Sequence, residues 1–233
     1  MTETWRAVWE RRTLAPGTPL TLESLIALDG FDGFGAVPDE HSWRAYAARV
    51  GDRLGVAPGD SIYDVGCGAG AFLEPFARRG HRVGGLDFAP GLVAIARRAL
   101  PEAELTVAEA RDLDPAPYDV VVSHSLFLYL PSHEHAAAVV HAMLRKARRA
   151  FAILDVPDRA RASAALAFRR AHLGADAYGS QYADLRHLSL DREWFGRCLA
   201  GEAVDVSIHD VDLAGYPHGP HRFNVCVRRM QRP

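Results

Sequence analysis

The chain of 233 residues holds one lysine, Lys146, among 27 basic residues. Covalent chemistry through a lysine amine, such as a Schiff base, thus has one candidate, at the basic end of a helical stretch. Cysteine is almost as scarce. Cys67, Cys198 and Cys226 are scattered, and form neither a disulfide framework nor a paired Cys-x-x-Cys metal motif, which fits a reduced cytoplasmic setting. No apolar run is long enough to cross a bilayer. The amino terminus opens charged with no apolar stretch behind it, so no signal peptide is expected. Excess charge is missing as well: a formal net charge of −2 leaves no basic footprint for nucleic acid. The expected partner is a small molecule, not nucleic acid or membrane. Nothing in the sequence fixes an oligomeric state.

What is present suffices for one α/β domain, since 48% of residues are hydrophobic and 24% charged. Residues 1–57 read as a helical cap, with helices at Thr2–Arg12, Thr21–Leu28 and Glu40–Leu54 and a glycine-rich loop from Asp29 to Gly35. Pro58-Gly59-Asp60 punctuates the chain. Strands then alternate with helices over 58–155. Strands are expected at Ser61–Val65, Arg82–Asp87, Glu104–Ala108, Tyr118–Ser123 and Arg149–Asp155. Helices are expected at Ala71–Arg79, Gly91–Leu100 and from a Ser132 cap to Lys146. Such alternation predicts a doubly wound, mostly parallel sheet. Residues 156–233 supply a helical region over 158–200, looser around Gly174–Ser180, and two closing strands, Val204–Asp210 and Phe223–Arg228. The joint Gly215-Tyr216-Pro217-His218-Gly219-Pro220 is too turn-rich for a crossover helix, which predicts an antiparallel last pair. The expectation is a seven-stranded, Rossmann-like sheet in a single domain with an antiparallel C-terminal strand.

The densest signal is Ser61-Ile62-Tyr63-Asp64-Val65-Gly66-Cys67-Gly68-Ala69-Gly70, a buried strand entering a glycine turn. Glycines remove side chains where backbone meets a ligand. Gly66, Gly68 and Ala71 fit the dinucleotide pattern G-x-G-x-x-G/A, and Gly66, Gly68 and Gly70 fit G-x-G-x-G equally. Charge separates the two. A dinucleotide lays a diphosphate over the loop, where Asp64 would repel it. S-adenosylmethionine carries a sulfonium and an ammonium, which an acidic strand end suits.

The stretch Asp64–Gly70 resembles the first motif of class I S-adenosylmethionine-dependent methyltransferases, and the likeness extends from about Ser61 to Asp155. Gly85-Leu86-Asp87-Phe88-Ala89-Pro90 is similar to the second strand end, which implies that Asp87 holds both ribose hydroxyls and that Phe88 lies along the adenine. Ala108-Glu109-Ala110 is similar to the third. It implies that Glu109 accepts from the adenine amino group and that the Ala110 N–H donates to the ring, although the family more often has Asp there. Tyr118–His124 resembles the fourth motif, whose backbone near Ser123 would receive the cofactor's amino group.

The resemblance implies methyl transfer to a small organic acceptor, on oxygen or nitrogen, in a setting such as bacterial natural-product synthesis. His124, at the mouth of the sheet, is the general-base candidate because its ordinary pKa lies near neutrality. No [DNS]-P-P-[YFW] follows the fourth strand, and no Pro-Cys pair exists, which argues against base or glutamine amides and against covalent attack on cytosine. The catechol-type metal site is not matched, and His133 and His135 diverge on a helix, so no metal is expected. Phe31, Phe34, Trp43 and Tyr46 crowd the cap, and Arg44 or Arg49 are candidates for the cofactor's carboxylate. Two alternatives stay open: an NAD(P)-dependent oxidoreductase on the same loop, and a methyltransferase fold kept without catalysis.

Overall fold

The computed structural model describes residues 4–33, 37–173, 185 and 187–230. Seven strands form one sheet: β1 Ile62–Val65, β2 Val83–Asp87, β3 Glu104–Val107, β4 Tyr118–His124, β5 Ala147–Pro157, β6 Val204–Asp210 and β7 Arg222–Arg229. Their order across the sheet is β3-β2-β1-β4-β5-β7-β6. The first five are parallel, and β7 runs antiparallel to both β5 and β6. The expected Rossmann-like fold is therefore present, with its antiparallel closing strand.

Alternation along the strands sorts the core into two layers. Ile62, Val120, Val122, Ala152 and Leu154 face one side, where α2 Leu22–Ile26, α3 Glu40–Leu54, α4 Glu74–Ala77 and α5 Pro90–Ala99 pack. Val65, Val121, Phe151 and Ile153 face the other, against α6 His133–Lys146 and α8 Trp194–Cys198. A period of two in the sequence thus becomes two buried faces. Helix starts are set by short polar side chains. Asp39 accepts from Ser42 N at 2.8 Å ahead of α3, and Ser132 from His135 N at 3.2 Å ahead of α6.

Several boundaries differ from expectation. The helix expected at Ala71–Arg79 shrinks to Glu74–Ala77, because Ala71 is held on both sides. Its N–H donates to Asp29 and its C=O accepts from Trp43 Nε1. The region 158–200 is not one helix. It contains α7 Ala162–Leu173, the expected loose middle lies outside the described residues, and extended chain near Leu190 bridges Asp158 before α8. The cap opens with α1 Trp5–Glu10, and α2 runs on through a wider turn, Ala27–Phe31, that places Asp29 and Phe31 over the sheet.

β1 lies between β2 and β4, so the strand order reverses there. Open α/β sheets bind ligands beyond the carboxyl ends of the strands at this reversal. The sequence signals at the ends of β1, β2 and β4 converge on it.

Candidate active site

Beyond β1 the chain turns through Gly66, Gly68 and Gly70, with φ of 83°, 52° and 92°. Gly68 is glycine for a reason that lies in the cap: a Cβ there would sit 2.2 Å from Asp29 Oδ1. The Asp29 carboxylate reaches down onto the loop, accepting from Ala69 N at 2.6 Å and Ala71 N at 3.0 Å. Gly70 serves packing, since its Cβ would meet Leu100 at 3.0 Å, and it does not line the cavity.

Three carboxylates converge here. Asp29, Asp64 and Asp87 line one cavity, of about 520 Å³ including its open mouth, together with Phe31, Phe88, His124 and Ser125. Asp64 is 2% exposed, and its Oδ1 has no hydrogen-bond partner. Asp87 accepts from Gly68 N at 3.0 Å and from Ala89 N at 2.8 Å. Both of its oxygens retain acceptor capacity. Burial raises the pKa of Asp64 well above the carboxylate range, and Asp29 and Asp87 add to it. Burial likewise pushes Asp29 up to about 7, against the two amides that favour its charged form. Burial raises Asp87 as well. A cluster that resists its own ionisation is relieved by a cation and opposed by an anion.

Next to this cavity lies a second, of about 1040 Å³ including its open mouth, shared by Asp87, Phe88, Glu109 and Ala110. The Arg6 guanidinium of the cap lies 4.6 Å over the Phe88 ring and pairs with Glu109. Ser123, by contrast, lines neither cavity. It is fully buried and its Oγ donates to Val65 O at 2.9 Å.

His124 sits in an aromatic box. Its ring stacks on Phe31 at 5.2 Å and on Phe72 at 4.9 Å, with Trp43 edge-on at 5.3 Å. Burial pushes its pKa down to about 3, which works against the general-base expectation, because so weak a base holds a proton poorly at neutral pH.

The residue after it was missed by sequence reasoning. Ser125 has φ 55° and Asp155, at the end of the β5 pairing with β4, has φ 61°. Ser125 Oγ donates to Asp155 Oδ2 at 2.8 Å, Tyr216 OH to the same oxygen at 3.0 Å, and Arg222 lies 3.5 Å from it. Asp155 Oδ1 is buried without a partner. Neither backbone state leaves a composition signal, so only geometry reveals the pair.

Other candidates are occupied elsewhere. Arg44 pairs with Glu74 and Arg49 with Asp212. Phe34 lies outside the described residues. Lys146 is buried at the far end of the sheet, donating to the Asp114 and Ala116 carbonyls at 2.9 and 2.8 Å under Tyr63, a structural clamp. Among the described residues no helix is long and apolar enough to cross a membrane.

Residues 62–150 match a family model described as a methyltransferase domain. This stretch is therefore similar to a methyltransferase domain. It contains the glycine loop, Asp87, Glu109 and His124. The ubiquinone biosynthesis O-methyltransferase of Alkalilimnicola ehrlichii is 35% identical over 103 residues, 41% of this chain and 40% of that protein. The dTDP-4-amino-2,3,4,6-tetradeoxy-D-glucose N,N-dimethyltransferase of Saccharopolyspora spinosa is 34% identical over 84 residues, 34% of each chain. The match thus spans 40% or less of these curated relatives' length. The fold likeness reaches further. The amino pentose methyltransferase of Micromonospora echinaspora involved in calicheamicin biosynthesis, solved with SAM bound, superposes with a TM-score of 0.62 at 18% identity, covering 81% of this chain and 92% of that one. The magnesium protoporphyrin IX methyltransferase of Synechocystis PCC 6803, solved with SAH bound, gives 0.61 at 17% identity, covering 81% and 83%.

Proposed function

We propose that the chain transfers a methyl group from S-adenosylmethionine to the oxygen or nitrogen of a small organic acceptor, in a cytoplasmic setting and without a metal. One observation carries the reading: three carboxylates, Asp29, Asp64 and Asp87, meet at the glycine loop, and one of them has a buried, unpartnered oxygen. Such a site suits a sulfonium and an ammonium and repels a diphosphate. Asp64 and Asp29 serve the cationic end, beside Gly66 and Gly68. Asp87 takes the ribose hydroxyls, Phe88 the adenine face, and Glu109 and Ala110 the adenine edge once Arg6 yields. Gly70 and Ser123 hold the frame around them.

When bound, the sulfonium supplies an electrophilic methyl carbon, and the acceptor attacks it in line. The new bond to carbon forms as the carbon–sulfur bond breaks, leaving a neutral thioether. Alignment and exclusion of water do most of the work, and the aromatic box around His124 provides a dry wall. A hydroxyl acceptor loses its proton to Ser125 Oγ, whose own proton passes to Asp155 Oδ2.

Calorimetry with S-adenosylhomocysteine and with NADH tests the reading. Binding of the first and none of the second is expected. Tight NADH binding without S-adenosylhomocysteine binding overturns it. Labelled methyl transfer to a panel of phenols, acids and amines then separates an enzyme from a fold that only holds the cofactor.

A further inference from the structure

The alternation of β5 slips at Asp155. Phe151, Ile153 and Val156 face the layer of α6 and α8, whereas Ala152 and Leu154 face the opposite one. Ile153 and Val156 are an odd number of residues apart, so a strict period of two would put them on opposite faces. Pairing with β7 shows the same slip. Ile153 stands opposite Val225 and Val156 opposite Phe223, which leaves Leu154 and Asp155 facing the single residue Asn224. This is a β-bulge, a device that re-aims a side chain next to a site.

Side chains hold the bulge. Asn224, fully buried on β7, accepts from Asp155 N through Oδ1 at 2.9 Å. Arg222, from the same strand, donates to Asp155 O at 3.1 Å. An N–H can only donate, which fixes the Asn224 oxygen toward Asp155 and its amide nitrogen toward Tyr46. Asn224 Nδ2 donates to Tyr46 OH at 3.1 Å, and that hydroxyl lies 3.3 Å from Oδ1. Tyr46 comes from α3 of the cap and is itself fully buried. Burial first, and the Asp155 charge next, raise its pKa, so it keeps its proton. Its ring also lies 5.7 Å from His124. Neither Asn224 nor Tyr46 lines a cavity at the site.

The carboxyl aimed by this bulge is badly placed for stability alone. Oδ2 meets Ser125, Tyr216 and Arg222, while Oδ1 is buried with no hydrogen-bond partner. A bulge kept only to close the sheet would carry an apolar residue here, as the flanking Leu154 and Val156 do. We propose that Asn224 and Tyr46 are positioning residues for methyl transfer. They hold the bulge that turns the Asp155 carboxylate onto Ser125, the member of the pair that lines the loop cavity. The inference rests on the Ser125–Asp155 proton path above and extends it back to the cap.

The test reads the ionisation of Asp155 by carbon NMR, in protein labelled at its aspartate carboxyl carbons, with Asp155→Asn assigning the signal. It needs no acceptor. Asn224→Ala should lower the Asp155 ionisation constant by about tenfold, because the Ser125 hydrogen bond to the charged form is lost. Tyr46→Phe keeps the ring against His124 and should lower it by about threefold or more. Arg222 and Tyr216 also face this carboxyl and are unchanged in both variants. Ser125→Ala should match Asn224→Ala, and the two together should fall little further than either alone. S-adenosylhomocysteine affinity should not change, and melting curves identify the folded variants. If Asn224→Ala does not fold, Tyr46→Phe decides. A constant within twofold of wild type in folded Tyr46→Phe, or a double variant that falls by the product of the single effects, overturns the inference and leaves the methyl-transfer reading standing. Wild-type turnover and acid limb in Asp155→Asn remove the proton path and this inference with it, while S-adenosylhomocysteine binding reports separately on the cofactor site.

Discussion

Ser125 and Asp155 are the two non-glycine residues of the described chain with left-handed backbone, and the hydroxyl of one donates to the carboxylate of the other at 2.8 Å. Such backbone costs on the order of 1–2 kcal/mol per residue and persists where surrounding structure imposes it. Here parallel pairing of β4 with β5 brings two strained strand ends together at the mouth of the sheet.

If this pair takes the acceptor's proton, Ser125→Ala and Asp155→Asn should each lower turnover on a hydroxyl acceptor by about 10²–10⁴. S-adenosylhomocysteine affinity should change little. Burial raises the Asp155 pKa, so the wild-type rate should fall as pH drops through that raised value. The acid limb should vanish in Asp155→Asn. Rate profiles across pH check this, and an unchanged limb in the variant removes Asp155 from the proton path.

Asp29 predicts a pH signature of the opposite kind to a surface ion pair. Its folded pKa of about 7 lies above the unfolded value near 3.8. Between the two the folded state binds more proton, so this group's contribution to stability falls as pH rises from about 4 to 7. Asp29→Asn should flatten that slope in melting curves taken across the window, and should weaken binding of the cationic cofactor. A slope identical to the wild type would show that Asp29 is ionised throughout.

For His124 the sign is reversed. Its folded pKa of about 3 lies below the ordinary 6.5, so the contribution of the neutral ring is complete above 6.5 and is lost as pH falls toward 3. His124→Phe, similar in volume and suited to the same aromatic box, should remove that acid sensitivity. Turnover should stay within about tenfold of wild type, whereas a general base would lose about 10²–10⁴. Steady-state kinetics decides between them.

Asp87 does two jobs, and its loss should show both. Asp87→Ala frees the Gly68 and Ala89 amides, each stranded donor costing about 1–3 kcal/mol. The melting temperature should therefore drop along with S-adenosylhomocysteine affinity. An unchanged affinity with a lowered melting temperature would leave Asp87 as a brace for the loop alone.

Much of this was legible in the chain. Strand spacing, cap residues such as Asp39 and Ser132, and the glycine loop after Asp64 are local patterns, governed by backbone geometry over a few residues. They located the sheet, its order of elements and the methyltransferase-domain signal. His124 was legible as a position, whereas its basicity depends on burial among Phe31, Phe72 and Trp43, which come from three separate segments. Asp29 read as part of a glycine-rich loop, and nothing nearby in sequence marks it as the carboxylate over Gly68.

What the sequence by itself determined is the frame: which segments become strands, where the chain turns, and which carboxylates end the strands. Tertiary structure decided the electrostatics. Desolvation and the approach of charges from distant segments set the three-carboxylate cluster, the neutral His124 and the Ser125–Asp155 bond. Those depend on distance in space, which falls off within a few ångströms and which no spacing along the chain encodes.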